Sequence, residues 1–492
     1  MIRLRCAPSP RRHRSRPCRR STMGRLWASS SGFISPNEAN LPKRVITVCV
    51  RTKLVVIALL VVLLIPWAGL SPSRAQNPGQ KTTVIIDILG TPGKKINIAV
   101  PEFTVVSGTE STGAAKLLAS VTGSDLTFSG LFSVVAGTGA IPANNPAALA
   151  QSWQEFAAAG AHAGLHGLLT VRPDRLDGEM RLYDLTTPGQ RLIATKKFDT
   201  PIAQPRRLAH KIADEVVLQF TGEPGIADTK LAFVLGPRGA KEIVMADYDG
   251  AGTAPVTRNG SINLTPVWSP DARSLAYTSY KQGYPDLYRA FPFERRPEQT
   301  LAAFVGINTS PAFSPDGKSL ALTLSKDGNP EIYVLALATG TMRRLTRNAG
   351  IDTEPTWSPN GRQVAFISDR NGAPNVYVMD EQGTGVRQLT SGGFHTQPRW
   401  SPKGDSLVYT VRQGVHDLWI VNVDGSNPRR LTSGTGDSQG ATWAPNGRHV
   451  AFQSNRNGRW QIFAMLADGS GQELITKGPG EATSPSWSPR LP

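Results

Sequence analysis

The sequence predicts a small α/β domain over residues 76–225, followed by an all-β six-bladed β-propeller over 226–492 whose split blade is closed by the C-terminal strand. Three observations carry this. A short anchor, aromatic-Ser/Ala-Pro and then most often Asp or Asn, recurs at Trp268, Phe313, Trp357, Trp400, Trp443 and Trp487, spaced by 45, 44, 43, 43 and 44 residues. Each period holds four short strands joined by Gly, Asn and Asp turns, which is the layout of a propeller blade. Before residue 226 the pattern differs, because short strands alternate there with helical periodicity.

The 492 residues are 39% hydrophobic and 18% charged, with 48 Gly and 38 Pro. Such a chain is globular, long enough for more than one domain and rich in turn formers. A net charge of +17 raises the question of a nucleic-acid partner. The charge is uneven, however: residues 1–75 carry 14 Lys or Arg against one acid, Glu38, and the other 417 residues carry 40 against 36. No nucleic-acid partner is expected of that remainder.

The basic region reads as an address. Leu54 to Leu70 is an apolar stretch preceded by Arg51 and Lys53 and followed by Ser73-Arg74-Ala75. A positive flank, an apolar core and small residues at −3 and −1 make a secretory signal peptide over residues 50–75, cleaved after Ala75. At about 17 residues and interrupted by Pro66, the stretch is short for a spanning helix, so the mature protein is not expected to span a membrane. Cys6, Cys18 and Cys49 all precede the cut, which leaves no thiols to manage in an oxidising compartment. Residues 1–49 form an Arg-, Ser- and Pro-rich preface, read as a start-site artefact with translation beginning near Val48 or Val50.

In the α/β domain, 96–103 and 131–137 read as strands with a helix around 113–121 between them. A second helix is expected over 150–159, strands over 167–172, 179–185 and 192–198, and a closing helix over 205–220. Leu208, Ile212, Val216 and Phe220 share one face of that last helix. In the propeller, the last anchor is followed by only five residues, whereas Leu231-Ala232-Phe233 has no anchor before it. The strand at Trp487 should therefore complete the blade begun at residue 231 and latch the ring, removing two exposed sheet edges.

Chemistry-bearing motifs are few. Gly436-Asp437-Ser438-Gln439-Gly440 fits a nucleophile elbow, but that mechanism needs a strand, a sharp turn and a helix, and here the motif lies between blades. His162 and His166 have the i, i+4 spacing of a helical zinc pair, yet glycines interrupt the helix and no third ligand is evident. Gly317-Lys318-Ser319 lacks the earlier glycine of a phosphate loop. The loops preceding the innermost strands are richer in signal. They should converge on one mouth of the channel as a concave polar surface, with Asn263, Asn308, Asp352, Thr353, His395, Thr396, Ser438 and Gln439 as candidate partner-binding residues. No cofactor is required, although these oxygens could hold a divalent cation in the channel. Thr82, Thr83, Val84, Ile85, Ile86 and Asp87 form a β-prone segment that could add to a sheet edge.

The signal peptide, the VIID segment, the IAVPEF strand, DLTFSGLF at 125–132, HKIADEVV before Thr221-Gly222 and the WSPDG array together resemble the TolB family of the Tol-Pal system, over essentially all of residues 80–492. The resemblance implies a non-enzymatic periplasmic adaptor. It implies that the mouth receives the outer-membrane lipoprotein Pal, that the 82–87 segment engages the inner-membrane protein TolA, and that the two contacts are linked. The resulting role would be outer-membrane integrity and constriction during division. A secreted propeller hydrolase or lyase and a glycan-binding protein are the alternatives. Sequencing the N-terminus of the exported protein should begin at Gln76; recovery of any earlier residue would refute the cleavage site.

Overall fold

The computed structural model describes residues 94–492 apart from 110–112, 136–138, 143 and 238. The preface, the signal peptide and the Thr82–Asp87 segment lie outside the described residues.

The α/β domain begins with β1 (Ile96–Ala99), β2 (Thr104–Ser107), α1 (Ala114–Phe128), β3 (Phe132–Val135) and α2 (Pro146–Ala158). It continues with β4 (Ala163–Val171), β5 (Arg175–Asp184), β6 (Arg191–Pro201) and α3 (Pro205–Thr221). The sheet order is β3-β1-β4-β5-β6, with β2 also pairing β4. The β1, β3 and β2 pairings are parallel, and the β4-β5-β6 meander is antiparallel. Helices α1 and α3 bury Leu118, Leu126, Leu208, Ile212 and Val216 in one core with the sheet, while α2 buries Trp153 in a second cluster with Ala99 and Leu185.

Two elements differ from the sequence reading for identifiable reasons. Helix α1 runs on to Phe128, through Gly123, Ser124 and Asp125, which are poor helix formers. Tertiary contacts override propensity here: Asp125 is buried and bonded by His210 and Tyr248. Strand β4 begins at Ala163, so the glycines that seemed to break a helix lie in a strand. Any side chain at Gly164 would meet the Trp153 ring at 2.6 Å, and one at Gly167 the Phe103 ring at 2.4 Å. Those glycines let aromatic rings lie flat on the sheet. His162 and His166 therefore have no helical relation. His162 accepts from Asn97 N, while buried His166 faces the Ile141 carbonyl at 3.2 Å.

The propeller consists of six four-stranded antiparallel sheets. First strands occupy Asn263–Trp268, Asn308–Phe313, Asp352–Trp357, Phe394–Trp400, Ser438–Trp443 and Ala482–Trp487, and we number the first five blades in that order. Each first strand touches the next in a closed cycle, which makes these strands the channel wall. The last pairs with Lys230–Leu235, Trp487 opposite Leu231, and so completes the split blade. Trp487 also donates from Nε1 to Thr229 Oγ1 at 2.8 Å.

The recurring Ser-Pro-Asp/Asn-Gly has a local cause. In blade one Ser269 donates to Asp271 Oδ1 and accepts from Ser274 N, while Asp271 also accepts from Arg273 N. Blades two and three repeat this at Ser314 and Ser358. The anchor is thus a self-capped hairpin turn, and Gly317-Lys318-Ser319 is part of one.

The domains meet at the end of the blades where the first strands finish. Phe128 stacks on His449, whose Nε2 faces the Phe128 carbonyl at 3.0 Å. At the centre, His210 Nδ1 donates to Asp125 at 2.8 Å and its Nε2 lies 3.6 Å from Asp247 Oδ2. Arg206 reaches Asp247 and Asp249, and Lys230 reaches Asp247. Burial works against a charged His210, but Asp125 and Asp247 outweigh it and raise its pKa to about 10. The sign follows: the group binds its proton more tightly when folded, so its stabilisation is complete below the ordinary value near 6.5 and is lost as the pH rises to about 10. Unfolding free energy should therefore decline across that window by at most about 1.4 kcal/mol per pH unit. Urea titrations at several pH values check this, and His210→Gln should flatten the slope.

Candidate partner-binding face

Asn263 pairs with Ser279 and Asp352 with Ser368, so the first strands begin where the second strands end. Tyr248 and His449 sit at the other end of their blades. The mouth formed by the strand starts thus lies at the end away from the α/β domain; we call it the upper mouth.

The eight candidate residues divide into two groups there. Asn263, Asn308, Asp352, His395 and Ser438 are buried. Each is the first residue of its blade's inner strand apart from His395, which is the second, and most tie back the loop before them. Asn263 bonds with Asn259, Asn308 with the Phe304 backbone, and Asp352 accepts from Asn348 at 2.6 Å. His395 Nδ1 lies 2.7 Å from Thr390 Oγ1, and burial lowers its pKa. Asp352 is also gripped by Arg370 at 2.9 Å; burial raises its pKa and the Ser368 and Arg370 contacts work against that. Ser438 donates to Ser454 and accepts from Arg456, with a strand following it, so the elbow geometry is absent. Thr353, Thr396 and Gln439 are half-buried and, among the described residues, their side chains make no hydrogen bond, so their polar groups are free to meet a ligand.

One position further on, every first strand kinks. Thr265, Ser310, Glu354, Gln397 and Ser484 have φ between 48° and 54°, and blade five has Gly440 at 66°. Left-handed backbone at five non-glycine positions costs about 1–2 kcal/mol each, so the surroundings must hold it. They do so through bonds between blades. Glu354 N donates to Thr323 Oγ1, Gln397 N to Glu354 Oε2, Gly440 N to Gln397 Oε1 and Ser484 N to Gln453 Oε1. Glu354 and Gln397 belong to this ring and were absent from the sequence-derived set. Each directly follows a candidate residue, Thr353 or Thr396, so the repeat register places it, but the sequence does not show the bonds between blades.

A divalent cation at this mouth would have to draw on Asp352 and Glu354, whose oxygens already accept bonds. Among the described residues no three His, Cys, Asp or Glu side chains cluster as a metal site.

The rim adds a feature that hydropathy does not show. Ile307 and Ile351, just before the inner strands of blades two and three, and Phe394, the first residue of that of blade four, are exposed, as are Phe304, Val305 at 93% and Tyr284 at 72%. The corresponding positions before blade five and the split blade are Asp437 and Glu481. The upper mouth is therefore apolar along one side and acidic along the other. Contiguous exposed apolar side chains around a polar cup mark a surface for a protein partner.

The comparisons with known proteins agree with this architecture. The model for the TolB beta propeller domain matches residues 217–491, and that for the TolB amino-terminal domain matches 84–192. The chain belongs to the TolB family. A Tol-Pal system protein TolB from Desulfosudis oleivorans is 35% identical over 261 residues, 52% of this chain and 58% of the relative. One from Anaeromyxobacter dehalogenans is 35% identical over 247 residues, 49% and 55%. The aligned region thus spans little more than half the length of these curated relatives. A crystal structure of TolB from Acinetobacter baumannii superposes with a TM-score of 0.69 at 28% identity, covering 80% of this chain and 97% of that one. Among the described residues no helix is long and apolar enough to cross a membrane.

The division of the mouth residues has a measurable consequence. Asp352→Ala removes the carboxylate that the partly exposed Arg370 and Asn348 both bond, and should cost about 1.5–3 kcal/mol. Thr353→Ala and Gln439→Ala should change stability by less than about 0.5 kcal/mol. Urea unfolding of the three variants distinguishes loop-holding residues from those free to meet a ligand.

Proposed function

We propose that the chain is a non-enzymatic periplasmic adaptor of the Tol-Pal system. It holds the outer-membrane lipoprotein Pal at the upper mouth and TolA through the 82–87 segment, and so supports outer-membrane integrity and constriction during division. The observation that carries the reading is the upper mouth itself: a polar cup with an exposed apolar crescent, at the end of the propeller that the α/β domain leaves uncovered. Membership of the TolB family, whose relatives are named Tol-Pal system proteins, supports Pal as that partner.

The chemistry of the cup also favours binding over turnover. Its buried polar groups are satisfied by their own loops and by neighbouring side chains of the same blade, and Ser438 has no base in hydrogen-bond contact. Linkage between the two contacts is then a coupling free energy. Pal binding would shift the equilibrium of the 82–87 segment, and TolA binding would shift Pal affinity by the same factor.

The test is titration of the exported protein with the soluble domain of its cognate Pal. Val305→Asp and Thr353→Arg, both on exposed or half-exposed positions, should weaken binding about tenfold or more, equivalent to about 1.4 kcal/mol, with unfolding midpoints unchanged. Unchanged affinity in both folded variants would rule out the upper mouth as the Pal site. Saturable binding of an oligosaccharide there, without Pal binding, would favour a glycan-binding protein.

A further inference from the structure

The opposite, lower mouth of the channel has no part in the adaptor reading. It is a cavity of about 430 Å³ walled by the indoles of Trp268, Trp357, Trp400, Trp443 and Trp487 and by the proline two residues beyond each. That volume falls within the ~300–1,000 Å³ of small-molecule sites. Its lining contains one charged side chain, Arg399, from the inner strand of blade four.

Arg399 has Glu354 as its counter-charge but makes no direct ion pair with it. Its Nη1 donates to the neighbouring Pro398 carbonyl at 2.9 Å, and among the described residues no carboxylate lies within ion-pair distance of it. Burial works against its charge, and the nearby Glu354 favours it. Glu354, however, spends Oε2 on Gln397 N in the ring above. A guanidinium has five donors in a planar fork, so most of them remain for a ligand. A half-buried arginine with free donors beside tryptophan and proline walls is complementary to a planar carboxylate for the fork and a flat apolar body for the rings.

We propose that the lower mouth binds a small aromatic carboxylate, with Arg399 holding the carboxylate and the tryptophan and proline wall holding the ring. The site is separate from the upper mouth and does not depend on any protein partner.

The five lining tryptophans provide the readout. The exported protein would be titrated at constant ionic strength with benzoate, with its neutral analogue benzyl alcohol and with acetate, following indole fluorescence and heat. Benzoate should saturate with a Kd below about 1 mM and bind about tenfold or more tightly than either of the others. Arg399→Met should lose that preference, and Arg399→Lys, which keeps the charge but not the fork, should fall between. Equal binding of benzoate and benzyl alcohol, equal binding of benzoate and acetate, or no saturation would each overturn the proposal. Those ligand comparisons use the unaltered protein, so they decide the matter even where Arg399→Met does not fold.

Discussion

Ring closure is the constraint on which the rest depends. The strand Ala482–Trp487 pairs with Lys230–Leu235 across an interval of some 250 residues, and without it the array would end in two open sheet edges. Open edges are templates for aggregation, and a single blade cannot bury both of its faces. Closure also brings the C-terminal strand under the α/β domain, since Trp487 joins the same core as Phe132, Phe220 and Tyr248. The latch that completes the propeller is therefore part of the contact that seats the first domain on it.

That contact is more polar than a propeller interior. Asp125, His210, Asp247 and Tyr248 form a buried set in which each charge has a partner, framed by Arg206 and Lys230. Buried charges are costly alone and tolerable only when paired. A network of this kind admits one relative placement of helices α1 and α3 on the blades, where an apolar patch would admit several. The two channel mouths are consequently unlike: one has the α/β domain beside it, and the other is open with an apolar crescent.

Much of this was legible in the chain. The anchor spacing, the missing anchor before residue 231 and the surplus one at Trp487 fix the blade count and the strand exchange by arithmetic. The α/β elements were also visible, with errors where a contact outweighed local preference. Asp125 ends a helix in most contexts, yet here His210 and Tyr248 hold it inside one. Gly164 and Gly167 look like helix breakers, yet they sit in a strand because Trp153 and Phe103 occupy the space of their side chains. The eight candidate mouth residues all fall in the first three positions of the inner strands, and their hydrogen-bond partners were not legible in the sequence. Asn263, Asn308 and Asp352 bond back to their own loops, whereas the side chains of Thr353, Thr396 and Gln439 stay without a hydrogen-bond partner.

The sequence by itself thus determined the repeat, its number and its closure, because these depend on periodicity and on which strands lack a partner. It also determined that the basic charge is concentrated before residue 76. The tertiary structure alone decided which polar side chains are satisfied and which are free. Satisfaction depends on neighbours contributed by other blades, as Glu354 of one blade accepting from Gln397 N of the next shows. No local pattern encodes the distance between residues that only ring closure brings together.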